Sequence, residues 1–128
     1  MLTNRDSLMD EDVVSRYLIN SSRLEGKVRI SGAKNSILRL MAATLLTSSS
    51  VTLNRYPATL RDAQVQEGML AALGKRCRVH GEALTIDEVE SPPEKLVWEG
   101  RSIRNTLLIL GALTARTGFG EVPMPGGC

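Results

Sequence analysis

The pattern of apolar and polar positions changes period several times along the chain, and each change marks an element. Val28 and Ile30 alternate with Lys27 and Arg29 over residues 26–30, the period-two pattern of a half-buried strand. A shorter strand is predicted at residues 16–19, ended by Asn20, Ser21 and Ser22. From Ala33 to about Leu46 the period becomes helical: Leu38, Met41, Ala42 and Leu45 form one stripe, widened by Leu40, Ala43 and Leu46. The polar run 47–50 stops that helix, and residues 51–54 predict a strand closed by Tyr56 and Pro57.

Thr59 and Asp62 have the spacing of a capping box, so a second helix is expected to start there. Its pattern buries Val65, Met69, Ala72 and Leu73 and exposes Gln64, Gln66 and Glu67. Gly68 inside it costs about 1 kcal/mol relative to alanine, which points to a close contact there, and Gly74 ends it. Residues 76–80 and 83–87 read as a hairpin about Gly81 and Glu82. A second unit is expected after Ser91-Pro92-Pro93: a strand at 95–98, a helix at 101–116, a strand at 118–122 and a loop from Pro123 onward. Residues 107–113 are apolar almost all round, so that helix needs enclosure on most sides. One and a half units cannot supply it, so the pattern reads as part of a larger domain. Exposed apolar surface and poor solubility are expected of the chain alone.

Composition narrows the function classes. The 128 residues, 42% of them hydrophobic, are the size of one ordinary domain. A net charge of +2 argues against nucleic acid or an anionic membrane surface as partner. Apolar runs are too short to span a bilayer, and the first 14 residues carry Asp6, Asp10, Glu11 and Asp12 without the apolar core of a secretory signal. Residues 1–15 read as a polar N-terminal extension. Cys77 and Cys128 make no disulfide framework, which fits a cytoplasmic location. Metal-ligand spacing is absent and His80 is the only histidine, so no metal, no cofactor and no histidine-based nucleophile set is expected.

The chemistry centres on residues 31–38, Ser-Gly-Ala-Lys-Asn-Ser-Ile-Leu, where a strand is expected to turn into a helix. Lys34 and Asn35 then fall in the first helical turn, where unpaired N–H groups and the helix dipole favour an anion. A lysine there opposes the dipole, so Lys34 is either simply solvated or waits for an anionic ligand. Arg104 falls in the first turn of its own predicted helix, as a ligand contact or as a surface ion-pair partner. Cys77, on a predicted strand, reads as an inert core thiol.

Four motifs stand in register: Gly-x-Val-x-Ile-Ser-Gly-Ala-Lys-Asn at 26–35, Leu-x-Asp at 60–62, Ile-Arg at 103–104 and Pro-Gly-Gly-Cys at 125–128. On these, residues 16–128 resemble the N-terminal part of the enolpyruvyl transferases of the UDP-N-acetylglucosamine 1-carboxyvinyltransferase family. The related shikimate-pathway transferases have Lys-Ser-x-Ser-Asn-Arg in place of Ala33-Lys34-Asn35. The resemblance implies an α/β fold, a partial inside-out α/β barrel of about one and a half βαβαββ units. Residues 16–33 would belong, with a hinge, to a second domain, and 34–128 to an incomplete N-terminal domain. The active site would lie in the cleft between the two.

Residue by residue, the resemblance gives Lys34 a contact to phosphoenolpyruvate and gives Asn35 and Arg104 contacts to the sugar nucleotide. It gives Cys128 the role of general acid and covalent thiol, on a loop that closes over phosphoenolpyruvate. Asp62 matches a family aspartate, although the capping box offers it a structural role. Two departures matter: Leu108 replaces a tryptophan near the nucleotide, and the remaining cleft residues would lie beyond Cys128. The implied reaction moves the enolpyruvyl group from phosphoenolpyruvate to the 3-hydroxyl of UDP-N-acetylglucosamine in peptidoglycan precursor synthesis, with the missing remainder of the enzyme as partner. The isolated chain is expected to be inactive. Transfer to another nucleotide in secondary metabolism and a non-catalytic remnant or binding module are the alternatives.

Overall fold

The computed structural model describes residues 17–125. The polar extension at 1–15, Arg16, and residues 126–128, including Cys128, therefore lie outside the described residues. The element order is α1 (Lys34–Ala43), β1 (Val51–Asn54), α2 (Arg61–Ala72), β2 (Lys75–His80), β3 (Ala83–Glu88) and α3 (Thr106–Thr117). A 3₁₀ turn, Thr44–Leu46, continues α1, so the apolar stripe runs on as predicted. Ile37, Leu38, Met41, Ala42 and Leu45 are buried along it, whereas Leu40 and Leu46 stay exposed.

The three strands form one antiparallel sheet in the order β1-β3-β2, with the predicted hairpin joining β2 to β3. Val51, Ile86 and Cys77 stand in register on one face, as do Leu53, Leu84 and Val79. Leu84 and Ile86 are fully buried there, while Thr52, Arg76, Arg78 and His80 on the other face are exposed. The helices thus cover a single face of the sheet, and alternation with period two follows from that. The core runs from α1 through α2 to β3, with Leu96, Ile103, Ile109 and Leu113 joining from the C-terminal part.

Several sequence expectations are corrected. The described part of the predicted strand at 16–19, residues 17–19, and residues 26–30 are not strands: residues 17–30 are exposed coil, with Val28 88% and Ile30 77% exposed. An extended segment becomes a strand only when another edge takes up its N–H and C=O groups, and no described strand does so. The strands at 95–98 and 118–122 shrink to one parallel bridge between Lys95 and Glu121, since a two-stranded parallel ladder has no third strand to extend it. No capping box forms: the N-cap of α2 is Leu60 and no side chain caps it. Gln66 is buried rather than exposed, and Ala72 is exposed. The reason is that α2 packs against both α1 and β2, which moves its buried face, and Gln66 Nε2 finds the Leu38 carbonyl at 2.7 Å. The third helix begins at Thr106, not Arg101. It is covered on one side only, leaving Leu107 55% and Leu108 39% exposed.

One buried polar clasp closes the core from the sheet side. Lys75 Nζ, almost without solvent, donates to Thr47 O at 2.6 Å and to Glu88 Oε2 at 2.8 Å. Arg116 of α3 reaches the other Glu88 oxygen at 3.0 Å and the Leu45 carbonyl at 3.3 Å. Glu88 thereby fastens β3 to β2 and α3. The Lys75 hydrogen bond, ahead of the charges of Lys75 and Arg116, holds its carboxyl below the usual range.

Candidate functional site

Three chain segments converge on a cavity of about 160 Å³: the start of α1, the start of α2 and the turn before α3. Lys34 and Asn35 line it from α1, Asp62 from α2, and Arg101, Arg104 and Asn105 from the turn, with Leu38 and Ile103 as its apolar floor. The structure therefore brings together Lys34, Asn35 and Arg104, three of the four site residues expected from the sequence, across 70 positions of chain between Lys34 and Arg104; the fourth, Cys128, lies outside the described residues.

Local geometry explains how each arrives. Ala33 is the extended N-cap of α1, so Lys34 and Asn35 are its first two residues. The entering chain is held close because Gly32 lies against the Arg55 carbonyl, where a Cβ would overlap it. Arg104 precedes the N-cap of α3, Asn105, rather than sitting in its first turn. Residues 103–106 form a tight turn instead, in which Thr106 N and Oγ1 both donate to Ile103 O, at 3.1 and 2.6 Å. Arg101 is fixed from behind: its carbonyl accepts the Trp98 indole N–H at 3.1 Å. Gly68 explains itself here, since a Cβ on it would stand 2.5 Å from the Trp98 ring. The predicted close contact in α2 is that ring.

Lys34 is not unpaired. Its Nζ lies 2.6 Å from Asp62 Oδ2, and Arg101 Nη2 lies 3.9 Å from Oδ1 of the same carboxylate. Asp62 is thus neither a cap nor solvated, but the anchor of two cations. Among the described residues Arg104 has no carboxylate partner. Three cations therefore face one carboxylate around this space, and the surplus positive charge suits an anion. Arg101 and Asn105 were missed in the sequence. The available signal was the pair Arg101 and Arg104, two cations ahead of a helix whose dipole opposes them, the same misplacement that marks Lys34.

Other sites carry less. A larger groove of about 700 Å³ between α2 and β2 holds Cys77 and Glu67. Burial, and then the Glu67 charge, push the Cys77 thiol up to about 12, so it stays protonated. Cys77 is half-buried rather than deep in the core. Burial together with its hydrogen bond to Glu67 also raises the Tyr56 phenol above its ordinary value. Leu108 lines a separate groove of about 250 Å³ with Arg39 and Leu46, not the cavity of Lys34. Among the described residues no group of histidine, cysteine or carboxylate side chains is arranged to hold a metal ion, and no helix is long and apolar enough to cross a membrane. Near the end of the described residues, Met124 is held beside the site: Ser102, between the lining residues Arg101 and Ile103, donates its Oγ to Met124 O at 2.9 Å.

Comparison with known proteins gives consistent results. The family described as EPSP synthase (3-phosphoshikimate 1-carboxyvinyltransferase) matches residues 19–128. The UDP-N-acetylglucosamine 1-carboxyvinyltransferase of Acinetobacter baylyi is 39% identical over 120 residues, covering 90% of this chain and 28% of that protein. That of Gloeobacter violaceus is 43% identical over 111 residues, covering 83% of this chain and 23% of that protein. Among solved structures, the enolpyruvyl transferase NikO from Streptomyces tendae superposes with a TM-score of 0.61 at 31% identity, covering 75% of this chain and 22% of that one. The chain spans about a quarter of the length of the curated relatives it matches.

Proposed function

The chain belongs to the EPSP synthase family of carboxyvinyl transferases, and from that premise we propose that it contributes the first part of an enzyme that moves the enolpyruvyl group of phosphoenolpyruvate to the 3-hydroxyl of UDP-N-acetylglucosamine, releasing phosphate. The observation that carries this reading is the convergence of Lys34, Asn35 and Arg104 on one cavity with surplus positive charge. Lys34 offers phosphoenolpyruvate a compact charge on a flexible stem, suited to a phosphate or carboxylate. Asn35 and Arg104 take the sugar nucleotide, Arg104 with a planar fork that matches phosphate. Cys128 serves as general acid at the methylene carbon and as the thiol that adds to the enolpyruvyl carbon. The hydrogen bond from Ser102 to the carbonyl of Met124, the fourth residue before Cys128, supports a place for the thiol near this cavity.

Relatives named UDP-N-acetylglucosamine 1-carboxyvinyltransferase at about 40% identity support the acceptor. So does Ala33-Lys34-Asn35, where the shikimate enzymes differ. In this reading residues 34–128 belong to an incomplete inside-out α/β barrel, residues 16–33 pass through a hinge to a second domain, and the remainder of the enzyme completes the cleft in the cytoplasm.

The test is phosphate release from phosphoenolpyruvate with UDP-N-acetylglucosamine, measured on the protein joined to the remaining length of a close relative. Activity lost in Lys34→Ala and Cys128→Ala is expected; activity unchanged in both refutes the reading. The isolated chain is expected to release no phosphate. A second acceptor deserves the same assay, because Leu108 departs from the family tryptophan and the NikO likeness links the fold to another enolpyruvyl transferase. Turnover with a different nucleotide in preference to UDP-N-acetylglucosamine would establish it.

A further inference from the structure

Two helices meet at the site through a matched pair of contacts. On α2, Asp62 and Gln66 are one turn apart; on α1, so are Lys34 and Leu38. Asp62 Oδ2 receives Lys34 Nζ at 2.6 Å, and Gln66 Nε2 donates to Leu38 O at 2.7 Å. The upper rung is charged and borders the cavity with both side chains, while the lower one is buried beneath the cavity floor, where Leu38 lines the space and Gln66 does not. The two ends of the upper rung are unequally exposed: the Asp62 side chain is 16% exposed and that of Lys34 50%. The carboxylate is therefore the fixed partner and the ammonium the free one. Asp62 also lies in the first turn of α2, where the helix dipole stabilises its charge and no other acidic side chain is present.

A carboxylate beside an anion site is at first sight a defect, since it repels the ligand. We propose that Asp62 is a positioning residue of this site: it holds the Lys34 ammonium turned into the cavity, so that anions bind more tightly with this negative charge present than without it. Lys34 lies on a long stem that otherwise samples many rotamers, and the loss of that freedom on binding is prepaid by the ion pair. One N–H of the ammonium is taken by Asp62 and two remain for a ligand. Arg101, at 3.9 Å from the same carboxylate, is drawn to the same rim.

The proposal rests on the reading of the cavity as an anion site, and its sign separates it from simple electrostatics. Removing a negative charge about one ligand diameter away should by charge alone tighten anion binding roughly tenfold. Positioning requires the reverse. The experiment is a titration of the protein with inorganic phosphate, followed through the amide shifts of Lys34 and Asn35 by NMR at constant ionic strength. Asp62→Ala is expected to bind phosphate about tenfold more weakly than the parent, the loss of one oriented charge-assisted contact. Asp62→Asn, which keeps an acceptor for the ammonium, is expected to recover part of that loss. Gln66→Met, which cuts the lower rung without touching Lys34, is expected to stay within about twofold of the parent, separating positioning from general strapping of the helices. Phosphate bound as tightly or more tightly by Asp62→Ala overturns the proposal while leaving the anion site intact, provided Lys34→Ala abolishes binding. Phosphate binding that is unaffected by Lys34→Ala, or absent in the parent, overturns the site reading and the proposal together. Matching far-UV spectra and melting curves of Asp62→Asn and the parent exclude misfolding as the cause.

Discussion

Lys34 heads a helix whose dipole opposes it, and Arg101 and Arg104 stand in the turn before another. Such cations weaken the local structure slightly and are useful when a negative ligand joins them. Lys34→Ala is expected to lower phosphoenolpyruvate affinity by about tenfold or more, with the melting temperature nearly unchanged because the pair is partly exposed. Calorimetric titration measures the first and thermal melting the second. This misplacement was legible in the sequence for Lys34, and the motif around it carried Asn35 and Arg104. What was not legible was the partner: Asp62 lies 28 positions away, and its sequence context advertised a capping box that α2 does not use. Spacing along a chain says which residues share a turn, not which turn another helix will bring.

Among the elements, those stabilised by neighbours close in sequence were readable: α1 from its stripe, β1 from its alternation, and the β2–β3 hairpin from Gly81. Elements that depend on distant partners were not. Residues 26–30 alternate correctly yet pair with no described strand, and Gln66 looked exposed until α1 covered it. Two predictions belong here. Gly68→Ala gains about 1 kcal/mol of helix propensity but forces the Trp98 ring aside at a cost of roughly 2–3 kcal/mol. The overlap wins, so a net loss of about 1–2 kcal/mol is expected in chemical denaturation. The second concerns the clasp. Unfolded Glu88 takes up its proton near 4.5, whereas the folded carboxylate stays charged to lower pH. Its contribution to stability is thus complete above that value and is lost as pH falls through the lower folded one. Glu88→Gln, which leaves Lys75 buried without a counter-charge, should cost roughly 3 kcal/mol near neutrality and flatten the acid side of the stability profile. Melting curves from pH 7 down to about 3 check both effects.

At the scale of the whole molecule, the helices cover one face of the sheet and leave their own outer side open. Leu40, Leu46, Leu107 and Phe119 are each more than half exposed, and Leu46 and Leu108 border one groove. Apolar surface of this kind favours association. Sedimentation velocity is therefore expected to show mass rising with concentration, and Leu46→Lys with Leu108→Lys should shift the chain toward monomer without lowering its melting temperature. The sequence anticipated the deficit, because residues 107–113 are apolar on every side, but not which side would remain bare. That depended on α1 packing against one flank of α3.

Trp98 is the only tryptophan of the chain, and its indole N–H ends on the carbonyl of Arg101 at the cavity rim. The protein consequently carries its own optical gauge. An anion that draws the Arg101 guanidinium inward is expected to alter this hydrogen bond and with it the emission of the single fluorophore, a change that fluorescence titration with phosphate would read without any label. Occupancy would then be followed in real time, at micromolar concentration, through the indole itself.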